Sequence, residues 1–546
     1  MNYRNDMLPD DSAELKKIIS FLQIKNTSLE SDNENLLTKN INLESENTKL
    51  INENKSLKEK MKAALAKFFS PKKDRASFEQ SDQLSLFDEA ETHAEKESED
   101  EETCSSDETI VKSHARKKGG KRRIPDFIPS EEIVHELSDK ERACNCCGKT
   151  RPVIGEDRSE ELDIIPAQFK KIIHVVKKYG PCNCSDFLNS GEAEIKRASK
   201  PKRLIPYGIA SAGLAAYCMD YKYNYAMPYY RLSKKFEAAE MDISRATLCN
   251  WTMIAAEKCR VVYDMMLDKI RSSEVINMDE TRVQVLKEDG KTAESLSYMW
   301  VMKAGKENKK LTVFHYDPRR NSETAEKLLD GFKGHLQTDG YEAYSKAVEK
   351  YGLNHAGCMA HVRRKFVDAQ KVNKESKTAK KGVVFISRIY SIETKLRKKK
   401  YTPEEFVKKR KDEMLPVLNE FKLWLDDVEK TILPSSLPGS AVNYALRQWD
   451  RLVRFLDHHD LTPDNNTVEN AIRPFAVGRK NWLFSNTPRG AESSAVIYSL
   501  VESAKNNNLI VYNYLRYLFT KLPEAKSDEE IEKLLPCNLS ANDIKI

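Results

Sequence analysis

The chain has 546 residues, too many for one hydrophobic core, and at roughly 100–200 residues per domain it implies about three or four structural units. Apolar residues make up 40%, enough for globular cores, and charged residues 32%; no stretch approaches the roughly 20 apolar residues of a membrane span, which excludes an integral helical membrane protein. The net charge of +7 is too small to mark a nucleic-acid partner by itself, and the amino terminus lacks the basic-then-apolar pattern of an export signal, so a reducing cytoplasm is expected.

Residues 13–68 predict a coiled coil. Leu15, Leu22, Leu29, Leu36, Leu43, Leu50 and Leu57 recur every seven residues. Three positions before the later leucines stand Ile19, Asn26, Asn33, Asn40, Asn47 and Asn54, with Met61 continuing the series. Leucine at d with asparagine at a describes a parallel two-stranded zipper, hence a homodimer, because buried asparagines pair across a dimer. A single amphipathic helix lying on the body of the protein is the competing reading, and a strict seven-residue repeat suits it poorly.

Residues 69–125 read as a disordered linker, with an acidic run at 89–108 followed by a basic one at 112–123. The basic run is either the solvated half of a linker or an arm, with Lys121, Arg122 and Arg123, that grips phosphates.

Residues 126–200 hold a cysteine cluster. Cys144 and Cys147 form a C-x-x-C knuckle, Cys182 and Cys184 a tighter C-x-C pair, and Cys146 competes with its neighbours. Four thiolates projected by two turns suit a structural Zn²⁺, with buried free thiols as the alternative. The intervening SEELDIIPAQFKKIIHVVKKYG alternates like two short strands, as in a zinc ribbon.

Residues 201–270 read as helices. A helix, the short turn EMDIS and a Ser-capped helix that opens at Arg245 resemble a helix-turn-helix, with a plain helical hairpin as the bland alternative.

From residue 271 to 500 the texture is β-β-β-α-β-α-β, the order of an RNase H-like α/β core, interrupted by a Lys-rich helical insertion at about 370–456. Residues 501–546 form a C-terminal helical element. The expected class is therefore multidomain α+β.

Asp279 is expected at the end of the first strand of this core and Asp339 just past the fourth, strands that lie side by side in such an order; Glu469 sits on the late helix. Three hard oxygen donors, read as having no cysteine or histidine nearby, suit two Mg²⁺ or Mn²⁺ ions. Such a pair activates a hydroxyl and stabilises the leaving oxygen in phosphodiester displacement. Glu280, Asp317 and Asp464 are rivals that the pattern leaves open. Arg363, Arg364, Arg473, Arg479 and Lys480 are either phosphate contacts or a solvated helix face. Trp482 and Phe484 stack on an unpaired base or fill the core. Cys358-x-x-His361 is a metal half-site without a second half, or ordinary packing at a strand end.

The blocks INMDETRVQVL, LQTDGYEAY, GCMAHVRRKFVDA and NNTVENAIRPFAVGRKNWLFSNTPRGAESSAVIYSLVESAKNN, in that order, resemble the insertion sequence 66 family of bacterial transposases. So do IVHELSDKERACNCCGKTRPVIGEDRSEELDIIPAQFKKIIHVVKKY and the tail NYLRYLFTKLPEAKSDEEIEKLLPCNL; the likeness covers about 115–540. The resemblance implies a DDE transposase whose acidic triad falls on Asp279, Asp339 and Glu469, a zinc domain that binds terminal inverted repeats, target DNA as second substrate, small companion proteins, and work at the nucleoid. The family usually has C-x-x-C in the second knuckle; here Cys182 is shifted by one position. A DNA-binding protein derived from a transposase but lacking catalysis, and a nuclease that cuts without joining, are the alternatives.

Overall fold

The computed structural model describes residues 12–69, 168–179, 196–199, 202–206, 208–305 and 309–545. The cysteines Cys144, Cys147, Cys182 and Cys184, and the arm Lys121–Arg123, lie outside the described residues. The chain divides into two compact units, residues 83–200 and the remainder. In the smaller unit β1 (Lys178–Tyr179) pairs antiparallel with β2 (Lys196–Arg197). Of the stretch expected to form two strands, residues 168–177 take no strand conformation and Lys178–Tyr179 form β1, while residues 159–167 lie outside the described residues.

In the larger unit, α1 (Ser12–Phe69) is one continuous helix. Its seam leucines Leu22, Leu29, Leu36, Leu43, Leu50 and Leu57 are 49% to 62% exposed, so one chain does not bury them against itself. The helices α2 (Ala212–Tyr223), α3 (Tyr229–Glu237), α4 (Arg245–Lys258) and α5 (Arg260–Arg271) follow. Ser244 caps α4 by accepting from Thr247 N at 3.1 Å, the local reason the helix starts there. No helix among the described residues is long and apolar enough to cross a membrane.

A five-stranded mixed sheet comes next, in the order β5-β4-β3-β6-β7. β3 (Val275–Gln284), β4 (Leu296–Ala304) and β5 (Leu311–Asp317) form an antiparallel meander. β6 (His335–Gln337) and β7 (Asn354–Ala356) extend it in parallel from β3. The crossovers are α6 (Ser322–Leu328) and α7 (Ala343–Tyr351). β3 is central and buried over most of its length, although only Val275, Ile276, Met278 and Val283 of its residues are apolar, so several polar side chains are carried into the interior.

The strand expected across HAGCMAH stops at Ala356, and Met359 already belongs to α8 (Met359–Val372). With α9 (Lys377–Arg397), α10 (Pro403–Glu429) and α11 (Leu437–Arg447) this helix builds an inserted bundle. Phe366, Phe385, Ile389, Phe421, Leu425 and Val442 are its core. The chain returns to the sheet as α12 (Asn466–Trp482), then α13 (Pro488–Asn506) and α14 (Val511–Lys521).

α13 covers the edge strand β5. Ser503 Oγ accepts from Thr312 N at 2.9 Å and donates to Thr312 O at 3.0 Å, while Ser499 Oγ accepts from Phe314 N at 2.8 Å. Two serines one helical turn apart thereby satisfy the open side of the ladder, which would otherwise invite a foreign strand.

Candidate active site

The parallel pairing of β3 with β6 puts Val275 opposite His335, Ile276 opposite Leu336 and Asn277 opposite Gln337. Asp279 and Asp339 each stand two residues past that last pair, so the register brings them abreast on one face. Asp279 is not at a strand end, as the sequence suggested, but in mid-strand, because β3 continues against β4 with Asp279 opposite Val301. Glu469 occupies the first turn of α12, which packs on β3, and is buried.

The Asp279 carboxyl senses the other two acids. Burial pushes the Asp279 carboxyl well above the usual range, and the charges of Glu280, Asp339 and Glu469 push it further. The Glu280 backbone N–H, which donates to Asp279 Oδ1 at 2.8 Å, offsets this in part. Asp339 is held by its own turn: Oδ1 accepts from Tyr341 N at 3.0 Å. Thr338 Oγ donates to Asp339 O at 2.8 Å and contacts His355 Nε2 at 2.7 Å. Burial drives the pKa of His355 down to about 3, so the ring under this turn is neutral at physiological pH. A Cβ added at Gly340 would lie 2.7 Å from Tyr444 Oη of the inserted bundle, so a larger residue there would displace that side chain.

The rival acids have other work. Glu280, the neighbour of Asp279 along β3, accepts from Arg320 Nε at 2.7 Å and Tyr344 Oη at 2.5 Å, and Arg320 in turn stacks 3.7 Å from the Tyr341 ring centroid. Asp317 Oδ1 accepts from Arg319 N at 2.8 Å, and Asp464 Oδ1 from Asn466 N at 3.1 Å; both are local turn bonds.

A family model described as Transposase IS66 family matches residues 207–493, more than half of the chain and the whole of this site. The chain belongs to the IS66 transposase family. Two further IS66 models match: the zinc-finger binding domain at residues 141–185, which spans all four expected zinc ligands, and the C-terminal element at 499–537. The chain is similar to three uncharacterized proteins of Sinorhizobium fredii (strain NBRC 101917 / NGR234). The identity is 30% with y4jD, over 77% of this chain and 82% of the relative. It is 28% with y4qI (77% and 78%) and 25% with y4hP (75% and 75%).

The IS66 fold places histidine and cysteine where the sequence seemed to have none. Cys358, His361 and Glu469 present ligand atoms all within 4.8 Å of one another, with His361 Nδ1 3.8 Å from Glu469 Oε1. Burial, Glu469 and Asp464 all raise the Cys358 thiol well above its usual range, and its Sγ accepts from Asn465 N at 3.2 Å. The sequence signal was the Cys-x-x-His spacing; its missing half is supplied from a helix more than 100 residues away.

Among the basic candidates, Arg479 donates to Arg282 O and, at 3.4 Å, to Thr281 Oγ, tethering α12 to β3; burial lowers its pKa to about 10. Lys480 and Arg245 are exposed, and Arg363, Arg364 and Arg473 are half-buried. Trp482 packs edge-on against Phe475 at 5.5 Å, whereas Phe484 is 43% exposed, so the core and surface readings divide between the two rings.

Proposed function

We propose that this IS66-family chain is a DNA transposase with an RNase H-like catalytic core, in which Asp279, Asp339 and Glu469 hold two Mg²⁺ or Mn²⁺ ions. The observation that carries the reading is the convergence of three carboxylates from β3, the end of β6 and α12, where burial and the neighbouring acids push the Asp279 carboxyl well above the usual range. Such a cluster is costly unless a cation arrives, and oxygen donors of this kind suit hard divalent ions. When bound, the ions supply activation of an attacking hydroxyl and neutralisation of the leaving oxygen. The chain's own contribution is position: the β3–β6 register fixes the two aspartates, and α12, tethered by Arg479, carries the glutamate over them.

Around this centre, the zinc-finger domain, with Cys144, Cys147, Cys182 and Cys184 as ligands, and the α3–α4 pair with Arg245 at its exposed start recognise the element's ends. Lys121, Arg122, Arg123, Arg363, Arg364, Arg473 and Lys480 meet phosphates. The open leucine seam of α1 pairs with a second copy, which brings two ends together.

Purified full-length chain with Mn²⁺ is expected to cut DNA carrying the ends that bracket its gene, and to join pre-cleaved ends to a target duplex. Cutting without joined product would leave a nuclease; a gel shift without cutting would leave a DNA-binding protein. Either outcome overturns the proposal.

The charge cluster has its own test, independent of turnover. Asp279→Asn is expected to raise the melting temperature of the metal-free chain, by about 1–2 °C for each kcal/mol of repulsion relieved. It should also abolish the further rise that saturating Mn²⁺ gives the wild type. A variant that melts at or below the metal-free wild type would contradict mutual repulsion among the three acids.

A further inference from the structure

Beneath the three acids lies a second set of three residues, all carboxamides. Asn277 precedes Asp279 by two positions on β3, and Gln337 precedes Asp339 by two positions at the end of β6. Asn465 precedes Glu469 by one helical turn, and its carbonyl accepts the Glu469 N–H at 3.3 Å. All three are buried: Asn277 at 9% exposure, Gln337 at 0% and Asn465 at 1%. They are bonded to one another. The Asn277 Nδ2 group donates to Gln337 Oε1 and to Asn465 Oδ1, each at 3.0 Å. Asn465 Nδ2 donates to Met278 O at 3.0 Å, and Gln337 Nε2 donates to Thr462 O at 2.5 Å and Gly357 O at 3.4 Å.

The two hydrogens of one amide nitrogen thus hold the two neighbouring amides at fixed spacing. Because each amide is a short, rigid backbone step from one acid, the spacing passes to the carboxylates. Burying three polar side chains is unfavourable unless they are mutually satisfied, and a hydrophobic trio of similar volume would pack more cheaply. What apolar residues cannot supply is a directional bond between β3, β6 and the start of α12. Neutral amides supply it without adding another charge beneath a cluster that already repels itself.

We propose that Asn277, Gln337 and Asn465 are positioning residues, with the Asn277 amide as hub, that set the separation of Asp279, Asp339 and Glu469 for divalent metal. The inference rests on the catalytic reading above and deepens it. Mg²⁺ demands near-ideal octahedral geometry, so it is the ion that detects a misplaced carboxylate most sharply.

The test is Asn277→Leu, which keeps the size and neutrality of the side chain and deletes both donors. Mn²⁺ binding by the full chain without DNA, followed by electron paramagnetic resonance, is expected to weaken about 10- to 100-fold, as when other supports of metal ligands are lost. Cleavage supported by Mg²⁺ is expected to fall further than cleavage supported by Mn²⁺, a split that general destabilisation would not produce. A folded Asn277→Leu chain with the wild-type Mn²⁺ affinity and the wild-type Mg²⁺-to-Mn²⁺ ratio overturns the proposal. If that variant does not fold, Gln337→Met leaves the Asn277–Asn465 bond in place and is expected to weaken Mn²⁺ binding in the same direction; unchanged binding there overturns it equally. Wild-type Mn²⁺ binding that is absent, or that survives in Asp279→Ala, defeats the catalytic reading instead, so the two failures are told apart.

Discussion

Asp339→Asn is expected to reduce end cleavage and strand transfer by about a thousandfold or more, equivalent to about 4 kcal/mol of lost transition-state stabilisation. The substitution changes one oxygen to an NH₂ and keeps the shape of the TDGY turn, whose Asp339 Oδ1 accepts from Tyr341 N and whose Thr338 bonds are untouched. It therefore removes charge and metal affinity while leaving the fold in place. Binding of the DNA ends, read by gel shift, is expected to stay within a few-fold of wild type. Asp317→Asn supplies the contrast: that acid makes a local turn bond at the end of β5, and the variant is expected to retain near-wild-type cleavage. Equal losses in the two variants, or substantial cleavage by Asp339→Asn, would remove Asp339 from the centre.

Arg410→Ala is expected to cost about 3–5 kcal/mol, the range for stripping one partner from a buried ion pair. Arg410 lies on α10 with its side chain fully buried. Its Nη1 donates to Phe455 O at 2.5 Å and His458 O at 3.0 Å. Its Nη2 donates to Glu393 Oε1 at 2.8 Å, Leu461 O at 3.0 Å and His459 O at 3.3 Å. Burial lowers its pKa to about 10, which still leaves the guanidinium charged at neutral pH. One side chain therefore satisfies the backbone of the segment that leads out of the inserted bundle into α12. Arg397 shares Glu393 at 2.9 Å and the same carbonyls of His459 and Leu461, so the acid keeps one partner and the segment loses its inner support. The melting temperature should fall by about 1–2 °C per kcal/mol, and limited proteolysis should open the chain between 455 and 465 first. Arg410→Lys is expected to recover only part of the loss, since an ammonium cannot span carbonyls on both sides of a planar fork. A melt of Arg410→Ala within about 2 °C of wild type would refute this account.

Much of this architecture was legible in the sequence because it rests on local pattern. The strand runs before Asp279 and Asp339 and the turn signals between them led to a side-by-side pair, and β3 and β6 do pair. The seven-residue leucine repeat predicted a two-stranded coiled coil, of which the single chain shows one continuous helix with exposed seam leucines. What escaped was long-range. Asp279 was placed at a strand end because nothing local says that β4 continues the ladder past it. Cys358 and His361 looked like a half-site because the third group, Glu469, arrives from the far side of the inserted bundle. Arg479 looked like a phosphate contact because a buried arginine that bonds a strand carbonyl has the same local sequence as an exposed one. Asn277, Gln337 and Asn465 gave no signal at all: an amide in a strand reads as a surface residue until its partners are seen.

The inserted bundle also fixes when the centre can exist. Asp279 and Asp339 sit in a sheet that is complete once β7 ends at Ala356, yet Glu469 follows only after the whole run from α8 through α11. During synthesis, at about 5–20 residues per second, the growing chain therefore spends roughly 6–26 seconds with two of its three acids and no third. A chain broken off anywhere in the bundle would carry only two of the three acids of the proposed centre, and would lack the α13 serines that cover the β5 edge. On the proposed reading, the bundle separates in time the making of the two aspartates from the making of the glutamate that joins them.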